Sequence, residues 1–163
     1  MPGGLLSPQA GFWGKLPGRG DFVGRGLPDA FRSRWDRWAA AHLAGREGWP
    51  EGGLRLRIAS GGRAAVGLVL PGRDAVGRHF PLALFLLADT LPDPVALEPW
   101  CETALQSAAE ADPDALWQAL TALPVPAGAM QAPPLLLWRR GQPALMADAG
   151  APGPALAAIF SSG

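Results

Sequence analysis

Tyrosine is absent from this 163-residue chain, cysteine and lysine occur once each, and histidine occurs twice. Each scarcity narrows the possible functions. The single cysteine, Cys101, allows no intramolecular disulfide and gives no sign of an oxidising compartment. One cysteine and two distant histidines, His42 and His79, cannot assemble a zinc site of the usual kind. No G-x-S-x-G elbow occurs, and no nucleophile–base pair stands out, so no catalytic residue is assigned and the chain is expected not to be an enzyme. A charge excess is also missing, because 14 basic residues balance 14 acidic ones. Proteins that displace counterions from phosphates carry a basic surplus, so no nucleic-acid partner is expected. The longest apolar stretch, Phe80–Ala88, is far short of the ~20 residues that span a bilayer, so no membrane insertion is expected. Residues 1–10 contain no basic residue and no long apolar run, which reads as no secretory leader and a cytoplasmic protein.

Apolar residues make up 48% of the chain and charged residues 17%, below the roughly 25% of ordinary soluble domains. Glycine (22) and proline (18) are distributed as punctuation between apolar segments, implying many tight turns. The length suits one domain over residues 1–163, with 1–10 expected to be a flexible N-terminus.

Gly11–Pro17 reads as a short strand. Pro28 suits the first turn of a helix. Phe31, Trp35, Trp38 and His42 then follow 4, 3, 4 spacing on one helical face, with Arg32 and Asp36 able to pair across a turn. Gly45 and Gly48 end this helix, and Trp49–Gly53 is a turn in which Trp49 is expected to be the most exposed tryptophan. Leu54–Ala59 alternates as a half-buried strand, linked through Gly61-Gly62 to Ala64–Leu70 as a hairpin. His79–Ala88 reads as a strand buried on both faces, completing an antiparallel meander. A helix carrying Leu97, Cys101, Ala104, Leu105 and Ala108 begins after Pro99 or slightly earlier. A second runs from Pro113 to about Leu123, with Trp117 on its apolar side. A hairpin around Gly141–Pro143 and a helical turn at Ala155–Phe160 complete the chain. This order predicts an α/β single-domain three-layer sandwich, its sheet largely antiparallel or mixed and flanked by helices.

Cys101, in a helical apolar stripe, reads as a buried small hydrophobe rather than a nucleophile. Asp112 and Asp114 flank Pro113 at a helix start, where capping explains them without a metal. Gly14-Lys15 lacks the spacing and the Ser/Thr of a phosphate loop, so no cofactor is expected. Two charged loops remain, containing Lys15, Arg19, Asp21 and Arg25 in the first and Asp74, Arg78 and His79 in the second. Asp21 or Asp74 could pair with Arg25 or Arg78 to lock the loops. Alternatively, the loops could form a polar recognition surface, with the first loop's four glycines letting backbone approach a partner.

These segments, GFWGKLPGRGDFVGRGLP followed by a Trp-rich helix and then PGRDAVGRHFPL, resemble the TagF family associated with bacterial type VI secretion systems. Glycines at 18 and 24 replace bulkier family residues. The resemblance implies a three-layer α/β sandwich without catalytic residues. It also implies a post-translational negative regulator, a repressor of secretion-system assembly. Such a regulator would act by protein–protein binding to the forkhead-associated scaffold protein, alongside a threonine kinase and phosphatase pathway. The competing readings are a structural component of the apparatus and a hydrolase with an atypical site around Asp21, Asp74 and His79.

Overall fold

The computed structural model describes residues 8–16, 20–60, 63–88, 90–109, 112–128 and 135–160. Seven strands form one sheet: β1 (Gln9–Gly14), β2 (Val23–Arg25), β3 (Leu54–Ser60), β4 (Arg63–Leu70), β5 (Leu82–Ala88), β6 (Leu135–Arg139) and β7 (Leu145–Ala147). Their spatial order is β2-β1-β5-β4-β3-β6-β7, and every pairing is antiparallel. Four helices accompany the sheet: α1 (Asp29–His42), α2 (Pro94–Ser107), α3 (Pro113–Thr121) and α4 (Gly153–Phe160).

The period-2 geometry of the strands divides the interior into two cores, one on each face. From β5, Leu82, Leu84, Leu86 and Ala88 point into the core beneath α2 and α3, with Leu97, Trp100, Cys101, Leu116 and Leu120. The alternate residues Ala83, Phe85 and Leu87 enter the core beneath α1 and α4, with Phe31, Trp35, Leu156 and Phe160. A strand fully buried along its length therefore lies at the centre of three layers. The expected sandwich is present, and the β3–β4–β5 meander is as read. The Gly61-Gly62 connection lies outside the described residues.

Local chemistry sets the helix starts. Asp93 accepts from the Ala96 amide at 2.8 Å and Asp112 from the Ala115 amide at 2.9 Å, each followed by proline at the first helical position. The Asp93 cap starts α2 more than a turn before Pro99, which sits inside the helix. Pro28 is the N-cap of α1, and its carbonyl accepts from the Arg32 amide at 2.9 Å.

Several details differ from the sequence reading. β1 begins at Gln9, paired with Leu87, so Gln9 and Ala10 belong to the sheet. β5 begins at Leu82, because His79 is held in an isolated bridge to Arg73 and is exposed. Arg32 pairs with Asp29 at 3.5 Å, while Asp36 accepts from the Trp13 indole at 2.9 Å. Trp49 is half-buried, edge-on to Phe160 and bonded to the Arg46 carbonyl. Trp117 is instead 38% exposed, and its indole N–H reaches the Ala10 carbonyl at 3.2 Å.

The largest difference lies in β3. Its alternation suggested one solvated face, yet Arg55 and Arg57 are buried on the α2/α3 side. Glu98 and Glu102, one helical turn apart on α2, cover Arg55. Its Nη1 donates to Glu98 and its Nη2 to Glu102 at 2.8 Å. Glu102 also accepts two bonds from Arg140, at 2.7 and 3.0 Å, so one carboxylate joins the β3 strand to the turn after β6. A buried cation persists where acceptors compensate it, and α2 supplies them.

Candidate functional site: two loops tied at Asp74

The chain between β4 and β5 folds back on itself between Asp74 and Arg78. The Asp74 amide donates to the Arg78 carbonyl at 3.0 Å, and the Gly77 amide donates to the Asp74 carbonyl at 3.1 Å. Gly77 adopts φ +87°, a conformation that costs a side-chain-bearing residue. The Asp74 side chain organises the turn. Its Oδ1 accepts from the amides of Val76 (3.0 Å) and Arg78 (2.9 Å), and its Oδ2 accepts from Lys15 Nζ (2.9 Å) and Arg78 Nε (2.8 Å).

Lys15 follows β1 and is as buried as Asp74, so this pair sits inside the protein. Burial alone would raise the Asp74 carboxyl pKa. The Lys15 ammonium, the two amides and the Arg78 guanidinium outweigh it and hold the group well below the usual carboxylate range. Arg78 then extends its Nη2 to the Gly20 carbonyl at 2.6 Å, joining the second loop to the first.

An aromatic stack supports this hub. Lys15 Nζ lies 4.3 Å from the Phe22 ring centre, Phe22 stacks on Trp13 at 5.2 Å, and its edge meets Phe80 at 4.9 Å. Trp13 is anchored by Asp36 and covered by the Arg32 guanidinium at 4.8 Å. The opening motif, the first helix and the second motif therefore meet at one place.

The seven residues singled out from the sequence do not act as one group. Lys15, Asp74 and Arg78 converge. Asp21 is exposed beside Gly20, and its carboxylate accepts from the Phe22 amide at 2.7 Å. Arg25 points elsewhere and pairs with Asp114 of α3 at 3.0 Å. His79 is exposed and lines a cleft of about 310 Å³ with Arg46 and Trp49. Arg19 lies outside the described residues. Of the pairings weighed for loop locking, Asp74 with Arg78 is formed, while Arg25 is taken by α3.

The loop glycines let the chain approach itself. A Cβ at Gly24 would strike the Trp13 ring, and one at Gly26 the Ala10 carbonyl and the Trp117 indole nitrogen. Two features were missed in the sequence: the covering of Arg55 by Glu98 and Glu102, and the exposure of Val76 at the tip of the Asp74 turn. The i, i+4 spacing of the two glutamates was the available signal for the first.

Burial pushes the Cys101 thiol up to about 12. Among the described residues, no group of His, Cys, Asp and Glu could hold a metal ion, and no helix is long and apolar enough to cross a membrane.

Fold and site together define an α/β sandwich with an all-antiparallel sheet, in which two motif-bearing loops are cross-tied through a buried carboxylate. Residues 11–51 match the family model described as the TagF N-terminal domain, type VI secretion system-associated. A solved structure of PA0076 from Pseudomonas aeruginosa PAO1 is similar at 36% identity, with a TM-score of 0.56 over 73% of this chain and 64% of that one. This chain thus spans about two thirds of that protein's length, just under. No curated protein matches the sequence.

Proposed function

We propose that this chain is a non-enzymatic negative regulator of bacterial type VI secretion that acts in the cytoplasm by binding the forkhead-associated scaffold protein and restraining assembly of the apparatus. The observation that carries the reading is the occupied state of Asp74. Four donors surround its two oxygens, and its carboxyl is held well below the usual range, which makes it a poor general base. The same bonds argue against a hydrolase built on Asp21, Asp74 and His79, since Asp74 is committed to the turn. What the cross-tie leaves exposed is a rigid surface formed from both motifs, suited to recognition by another protein.

Deleting the gene is expected to raise secretion by the apparatus, and the purified chain is expected to bind the purified scaffold protein. Unchanged secretion in the deletion strain, with no binding in vitro, would overturn the proposal. Co-sedimentation with assembled sheath or baseplate would instead indicate a structural component.

A further inference from the structure

The turn held by Asp74 presents an apolar side chain that is largely exposed. Val76 is 72% exposed at the tip of a five-residue turn, and exposed Ala75 and Gly77 flank it. Two carboxylate–amide bonds, the Asp74–Arg78 backbone bond and the buried Lys15 pair immobilise the backbone beneath it. A side chain presented on a pre-ordered turn has little ordering entropy left to lose when a partner covers it.

The surroundings carry a sign. Lys15 and Asp74 are buried and paired with each other, so the surface here carries two exposed cations, Arg73 and Arg78, against the exposed Asp21, and Arg73 and His79 flank the turn. The loop also stands between two concavities. The cleft of about 310 Å³ includes Arg46, the exposed Glu47, Trp49 and His79, and one of about 530 Å³ includes Arg73, Ala75 and Ala108.

We propose that residues 73–79 form a docking ridge with Val76 as its apolar anchor, which seats in an apolar pocket bordered by carboxylates on a partner protein. This rests on the regulatory reading above and identifies its contact surface. Asp74, Lys15 and Arg78 are then positioning residues that hold the ridge. Arg73 lies at the rim and contributes through charge. Reversing the charge of Asp74 would dismantle the ridge along with its support, so exposed positions are the informative ones.

The test measures the affinity of the full chain for the purified scaffold protein by calorimetry. Val76→Asp is expected to weaken binding by about tenfold or more, as for a central apolar anchor. Arg73→Glu should weaken it less and flatten its dependence on salt. Val95, 84% exposed at the start of α2, provides the control, and Val95→Asp should bind within about twofold of wild type. Unchanged near-ultraviolet circular dichroism and melting temperature establish that each variant is folded. If wild type and Val76→Asp bind equally, or if Val95→Asp weakens binding as much, the docking ridge is wrong and the regulatory reading stands. If wild type does not bind the scaffold, both fall.

Discussion

Removing the buried cation Arg55 should cost less than removing the two carboxylates that cover it. The Arg55 side chain is 0% exposed, whereas Glu98 and Glu102 are 30% and 40% exposed. In Arg55→Met both carboxylates can turn to water, and Glu102 keeps Arg140. Two charge-assisted bonds are lost, each worth about 1.5–3 kcal/mol. Against this, burying an apolar side chain of similar length returns about 1.5–3 kcal/mol. The desolvation of Arg55 Nε, which has no hydrogen-bond partner among the described residues, is also relieved by about 1–3 kcal/mol. The losses of about 3–6 kcal/mol and the returns of about 2.5–6 kcal/mol nearly cancel, so the net cost lies near zero. Glu98→Ala/Glu102→Ala leaves the guanidinium buried without either acceptor, and breaking a buried pair from that side costs about 3–5 kcal/mol. For a chain of this size each kcal/mol lowers the melting temperature by about 2–4 °C, so the two variants should melt several degrees apart. Urea unfolding followed by tryptophan fluorescence gives the free energies directly. A result in which Arg55→Met is as destabilised as the double alanine variant would refute the reasoning, since it would mean the arginine is not compensated chiefly by these two acids.

Three further outcomes follow from the hub and the core. The Asp74 carboxyl is depressed in the folded state, so its contribution to stability is present above the unfolded value of about 3.9 and is lost as pH falls below it. The melting-temperature gap between wild type and Asp74→Asn should accordingly narrow between pH 6 and pH 2.5, and a gap that widens would contradict the assignment. Cys101, buried and with its pKa raised to about 12, should resist iodoacetamide at pH 8 until the protein unfolds. Labelling in the native state faster than global opening would refute its placement. Gly77→Ala, at φ +87°, should destabilise the chain by about 1 kcal/mol in chemical denaturation, and no loss would mean that the turn can relax.

Elements governed by local chemistry were legible in the sequence. The cap and proline pairs at Asp112-Pro113, the meander and the terminal hairpin all depend on neighbours within a few residues. So did the choice of Asp74 and Arg78, four residues apart. What escaped depended on distant partners. Arg25 pairs with Asp114, 89 residues away, and no spacing rule points there. The exposures of Trp49 and Trp117 were assigned from position in a turn or a helix, but α4 covers Trp49 through Phe160, and Trp117 lies across the β1 backbone. The alternation of β3 correctly separated its two faces. It could not reveal that a helix roughly forty residues later would bury the polar one.

The seven-stranded sheet begins and ends on its shortest members, the three-residue strands β2 and β7. A sheet of this width would otherwise offer two long rows of unsatisfied amides and carbonyls, which template the addition of foreign strands. Here the Arg25–Asp114 pair ties β2 to α3, and the turn at Asp148–Ala151 follows β7 directly. Met146, 72% exposed on β7, therefore sits on a margin too brief to seed cross-β growth. Short margins on both sides thus limit the strand addition that so wide and apolar a sheet would otherwise invite.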